Sequence, residues 1–126
     1  MHINNIIFCD TAQDIVRPDG SKVTVLFNPS PALSLPFIPG LYSFMVSAGI
    51  SDLPESYRGI ATFQLYAPDN SIVSSTDLPI DMEGIFTSIT CNVDMRNVLL
   101  TVEGVYTAKV QIEDQFSTSS IIVRKK

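Results

Sequence analysis

A two-residue beat runs through most of this chain, and it restricts the fold more than any other feature. Ile85, Thr87, Ile89, Cys91 and Val93 alternate with Phe86, Ser88, Thr90, Asn92 and Asp94. Tyr106, Ala108, Val110 and Ile112 alternate with Thr107, Lys109, Gln111 and Glu113, and Ala61, Phe63, Leu65 and Ala67 with Thr62, Gln64 and Tyr66. In each stretch one set suits a core and the other suits water. No stretch sustains apolar residues at i, i+3, i+4 and i+7, so helix is confined to at most one short turn near Pro54 to Tyr57.

Turn signals punctuate the beat. Arg17-Pro18-Asp19-Gly20 and Ala67-Pro68-Asp69-Asn70 each place Pro where φ is fixed and a φ-tolerant residue two positions later. Asp94-Met95-Arg96-Asn97 and Glu113-Asp114-Gln115 are polar breaks. Strands are predicted near residues 2–9, 22–27, 41–50, 59–67, 71–76, 84–93, 97–102, 105–113 and 118–124. Short strands at this spacing predict an all-β, antiparallel two-sheet β-sandwich of the immunoglobulin-like kind. Gly104-Val105-Tyr106 before the penultimate strand fits that architecture. The Gly eases the bend, and the Tyr buries its ring while its hydroxyl reaches backbone.

At 126 residues the chain is expected to form one domain spanning residues 1–126. Its 45% hydrophobic content supplies a core without staples. The net charge of −5 and the lack of a basic stripe argue against nucleic acid; the one cationic cluster is Arg124-Lys125-Lys126. No cationic segment followed by an apolar run opens the chain, so no secretory signal is expected and the cytoplasm is the expected compartment. In that reducing setting Cys9 and Cys91 are expected as buried free thiols, a bridge becoming possible only on export.

From Val23 to Ser51 no residue is charged. The span carries Pro29, Pro31, Pro36 and Pro39 besides Gly, Ser and Asn, which a membrane helix could not satisfy in lipid, so no membrane partner is expected. Pro36-Phe37-Ile38-Pro39 has the PxxP form, but apolar neighbours and the lack of a basic flank separate it from free polyproline ligands. Two readings remain. Leu33 to Pro39 crosses between sheets with its apolar groups tucked under an edge, the prolines blocking edge pairing. Alternatively, Leu35, Pro36, Phe37 and Ile38 form an apolar surface for self-association or a protein partner.

Sites of chemistry are sparse. The only histidine is His2, at the chain terminus. No Cys/His spacing matches zinc, and neither phosphate-loop signature occurs. No cofactor is expected. Asp77, Asp81 and Glu83 lie in TDLPIDMEG, and Asp10 and Asp14 flank a short polar run. These carboxylates are expected in solvated loops. If they converge, a carbohydrate- or metal-binding sandwich, or a carboxylate-based hydrolase, becomes the alternative to a non-enzymatic binding or structural module.

The order of motifs also resembles a family of short, uncharacterised bacterial β-sandwich proteins, some associated with mobile elements. The resemblance rests on Phe8-Cys9-Asp10, on Asp19-Gly20-Ser21-Lys22 leading a strand to Phe27-Asn28, and on Pro36-Phe37. It continues through Gly49-Ile50, the run Phe63 to Asn70, and Gly104-Val105-Tyr106. Leu26 departs from the pattern, where Gly is expected. The resemblance implies a sandwich fold and a bacterial or phage origin, and it carries no activity or catalytic residue.

Overall fold

Phe63, Leu65, Tyr106, Val110, Ile112, Ile121 and Val123 lose nearly all contact with water, and these inward positions fall two apart along their strands. In the computed structural model, which describes residues 1–126, the chain is all-β and contains no helix. Its strands are β1 (His2–Cys9), β2 (Thr11–Val16), β3 (Lys22–Phe27), β4 (Ala32–Leu35), β5 (Gly40–Ser51), β6 (Arg58–Tyr66), β7 (Ile72–Asp81), β8 (Ile89–Leu100), β9 (Gly104–Ile112) and β10 (Gln115–Lys125).

They fall into three sheets rather than two: β1-β5-β8, β4-β10-β9-β6-β7, and a separate β2-β3 ribbon. All neighbours are antiparallel except β4, which runs parallel to β10. The larger two sheets contribute to one cluster of 25 buried residues, to which β2 and β3 add nothing. Each fully buried large side chain there stabilises the fold by about 1.5–3 kcal/mol.

Several strand boundaries differ from expectation, each for a local reason. Residues 89–100 form one strand, not two. Phe44 pairs with Met95 and Tyr42 with Val98, so β8 spends one residue more than β5 over this interval. That bulge keeps both Met95 and Val98 inward, and Asn97 absorbs it at φ +54°. Residues 84–88 are not strand; Gly84 turns the chain at φ +76° and leaves Ile85 and Phe86 in solvent. Strand β7 runs on to Asp81, so Asp77 and Asp81 sit on a strand instead of in a loop; Pro79 is tolerated because β7 is an edge. The expected helical turn at 54–57 is a non-helical turn. The proposed crossing contains a four-residue edge strand, β4, bracketed by Pro31 and Pro36, and Thr11–Val16 is a strand that went unforeseen.

Both Pro-Asp turns form as expected. Gly20 N–H donates to the Arg17 carbonyl at 2.9 Å and Asn70 N–H to the Ala67 carbonyl at 2.9 Å. Tyr106 is completely buried and donates its hydroxyl to the Val102 carbonyl at 2.8 Å. Gly104 precedes it at φ +141°, where an added Cβ would lie 2.8 Å from Pro68 Cγ.

Gly104→Ala should therefore lower stability by about 1–3 kcal/mol, measured by urea unfolding. Combining it with Pro68→Ala should recover the steric part of that loss, whereas additive losses would show that the contact with Pro68 is immaterial.

Candidate interaction surfaces

The strands of the two larger sheets run end to end, so the connections collect at two poles. One pole carries the 52–57, 82–88 and 113–114 loops. The other carries the turns at 36–39, 67–71 and 101–103 and the end of β10.

At the second pole, the sequence-predicted surface divides. Leu35 is buried at 8% exposure, and Ile38 is half-buried against the core, so neither is free to meet a partner. Pro36 is exposed, and Phe37 stands out at 72%. The Tyr42 hydroxyl holds Phe37 there, donating to its carbonyl and accepting from its N–H at 3.3 Å. Gly40 makes room for the Tyr42 ring, since a Cβ there would meet Tyr42 Cε2 at 2.8 Å. Immediately after this turn Leu41 pairs in register with Leu99, and both point outward at 63% and 49% exposure. Leu99 was not anticipated as part of this surface, because the bulge that sets its direction is invisible in the alternation.

The first pole is tied together by main-chain and side-chain bonds. Leu53 N–H donates to the Thr87 carbonyl at 2.9 Å, Ser56 N–H to Gly84 at 3.2 Å, and Met82 N–H to Tyr57 at 2.9 Å. The Tyr57 hydroxyl donates to Glu113 Oε1 at 3.1 Å, linking the third loop; burial and the Glu113 carboxylate push its pKa up. Out of this framework project Ile85 at 77% and Phe86 at 71% exposure. Their place in the sequence, directly after Glu83-Gly84, was the available sign of a loop.

The carboxylates do not converge. Asp77 accepts from Thr62 Oγ1 at 2.9 Å, Asp81 pairs with Arg58 Nε at 3.1 Å, and Glu83 lies beyond the strand. Four residues of strand put Asp77 and Asp81 about 13 Å apart, too far for a shared ion or a paired acid–base mechanism. Asp14 accepts from Thr24 Oγ1 at 2.8 Å and Asp10 from Asn28 Nδ2 at 2.9 Å. Nowhere do three His, Cys, Asp or Glu side chains gather as a metal site requires. His2 is exposed at the start of β1.

A cleft of about 250 Å³ opens beside the end of β1, lined by Phe8, Cys9, Asp10, Asn28, Ser30 and Leu35 among others. Burial and the adjacent Asp10 charge both raise the pKa of the Cys9 thiol, the opposite of the lowering that activates a thiol. Burial alone pushes Cys91 up to about 11. Both thiols are free. Cys91 pairs with the inward-facing Ala48 and Cys9 with the outward-facing Met45, so the two point to opposite sides of one sheet and cannot bridge.

Comparison with family models finds no match, and comparison with curated proteins finds none.

The Cys91 thiol gives a pH signature. It stays protonated in the folded chain up to about pH 11, while the unfolded chain loses that proton near 9. Between those values the unfolded state binds fewer protons, so stability falls as pH rises. Urea midpoints at pH 8 and pH 10.5 should differ in the native protein, and Cys91→Ala should flatten part of that difference. An unchanged slope would remove Cys91 as its source.

Proposed function

We propose that the chain is a non-enzymatic protein-binding module built on an immunoglobulin-like sandwich, working through the apolar face of Phe37, Leu41 and Leu99. The observation that carries this reading is that face itself. Large apolar side chains stand in water at one pole, fixed by a hydrogen-bonded turn and a registered strand pair, although the core beside them is complete. Exposed apolar groups held rigidly pay little ordering entropy on docking, which is what an interface requires.

Strand order supports the sandwich. The order β1-β5-β8 corresponds to A-B-E and β10-β9-β6-β7 to G-F-C-C′ of immunoglobulin-type sheets. Tyr106, at the start of the strand corresponding to F, bonds backbone upstream in the manner of a tyrosine corner. On this mapping β2-β3 is an insertion after the first strand. The separated carboxylates and the neutral thiols favour binding over catalysis. No helix is long and apolar enough to cross a membrane. A cytoplasmic location and a bacterial or phage origin complete the proposal; the origin rests on the motif resemblance alone.

A photo-crosslinking residue at position 37, expressed in the native host, should give a discrete protein adduct. The same probe at Thr118, on the outer face of β10, should not. Leu41→Asp should abolish the position-37 adduct while leaving the melting temperature within a degree or two, since exposed substitutions change stability by about 0.5 kcal/mol at most. Equal smears from both probes, or no adduct at 37, would refute the proposal.

A further inference from the structure

The two larger sheets end in four edge strands, β1, β4, β7 and β8. Short length, prolines, charges and bulges are the devices that keep such an edge from pairing with another chain. β4 is a four-residue strand between Pro31 and Pro36. β7 carries Asp77, Pro79 and Asp81. β1 is irregular between Asn4 and Ile7, where Asn5 takes φ +50°, and the Ser30 N–H occupies its Phe8 carbonyl at 2.9 Å. β8 is guarded only in its second half, by Asp94, Arg96 and the bulge between Met95 and Val98. From Ile89 to Val93 it offers Ile, Thr, Cys, Asn and Val in regular register, hydrogen-bonded to β5 on one side alone.

The chain leading into β8 lacks a neighbour too. The alternation that continues through β8 begins before it and includes Phe86, Thr87 and Ser88. The Leu53 N–H reaches the Thr87 carbonyl at 2.9 Å, so this stretch already follows the line of β8 beyond the end of β5, with Phe86 left in water. An added strand would pair with both parts. We infer that this strand is β8 of a second copy, antiparallel across a two-fold axis, joining the two three-stranded sheets edge to edge. The inference deepens the reading of the Phe37–Leu41–Leu99 face as protein-binding and rests on it for Leu99, which the two surfaces share.

The pleat puts the axis at a residue, because an axis between two residues would set each inward side chain against an outward one. At Asp94 it would oppose like charges. At Asn92 it opposes amide to amide, Thr90 to Asp94, Cys91 to Val93 and Ile89 to Met95, so polar groups meet on the outer face and apolar groups on the inner one. The bulge sets two residues of β8 opposite one. Past it, Leu99 of one copy lies opposite Phe86 of the other, and two exposed side chains cover each other. An axis at Cys91 would instead set Phe86 against the bulge, and one at Val93 would carry it past the end of the strand. The same residues thus supply both sides of the pairing, which singles out a second copy as the occupant. The contact is closed, so assembly stops at a dimer.

Sedimentation equilibrium from micromolar to millimolar protein should show wild type rising from 13.8 kDa to twice that mass and no further. Asn92→Lys and Asn92→Asp each set like charges at the axis and should weaken the dimer at least about tenfold. Mixed in equal amounts, the two should restore it as a heterodimer, as self-pairing at residue 92 requires. Thr90→Asp, at an exposed position opposite Asp94, should give the same loss and carries the test if an Asn92 variant unfolds; retained melting temperatures establish folding. A wild type monomeric at millimolar concentration would overturn the inference and leave the position-37 adduct to decide the Phe37 face by itself. Dimers that withstand Thr90→Asp and the Asn92 variants would remove the β8 edge as the contact. A mixture that stays monomeric, or a wild-type mass that climbs past the dimer, would rule out the closed two-fold pairing at Asn92.

Discussion

The fold depends on β5, which carries no ionised group of its own and is largely buried from Phe44 to Ile50. It is the central strand of its sheet, hydrogen-bonded to β1 and β8 on either side. Its inward residues Phe44, Val46, Ala48 and Ile50 are all buried. On the outward side Ser47 is also buried at 4%, and the Ala12 N–H of the β2–β3 ribbon lies 3.1 Å from Met45 Sδ. An unpaired charge at one of these buried positions would be stranded in a poorly solvated place, at a cost above the few kcal/mol that any one core contact returns. For the strand, this accounts for the absence of charge from Phe44 to Ile50, though not at the exposed Leu41 and Ser43. The prolines before it act separately, limiting β4 to a short edge that cannot readily recruit another sheet.

Where alternation is regular, the sequence was legible. The inward residues of β6 and β9 are those the beat assigns, and β1 and β3 begin and end where it predicts. It failed where one residue is inserted. Asp94 to Asn97 reads as a turn because it is polar and ends in Asn, a residue that accepts positive φ. The chain uses that tolerance inside a strand, as a bulge that restores the inward phase at Val98. A local polar signal cannot distinguish leaving a sheet from kinking within it. A period of two, likewise, has no marker for its own beginning. The alternation from Ile85 to Val93 is continuous, yet only Ile89 onward has a neighbour to pair with.

The interaction surfaces were half legible for a related reason. Leu35 to Ile38 was recognisable as an apolar run with no charge, but the run does not say which members turn inward. The Tyr42 hydroxyl and Gly40 settle that from outside the run, lifting Phe37 into solvent while Leu35 closes the core. Leu99 joins the surface only through its register with Leu41, a long-range fact that periodicity does not contain.

The alternation of an all-β chain also constrains where charge can sit. Strand interiors alternate between a core that excludes charge and outer faces that carry Asp77, Asp94, Arg96 and Lys109 among Thr, Ser and Gln, while most other ionised residues lie in or beside the connections. Because the strands run end to end, those connections lie at opposite poles, and any imbalance between the two sets of loops becomes a dipole along the molecule. Here the connections beside Ile85 and Phe86 carry Asp52, Glu55, Glu83, Glu113 and Asp114, and exposed apolar side chains stand at both poles. Electrostatic rims set orientation and encounter rate, whereas the apolar centres supply the affinity.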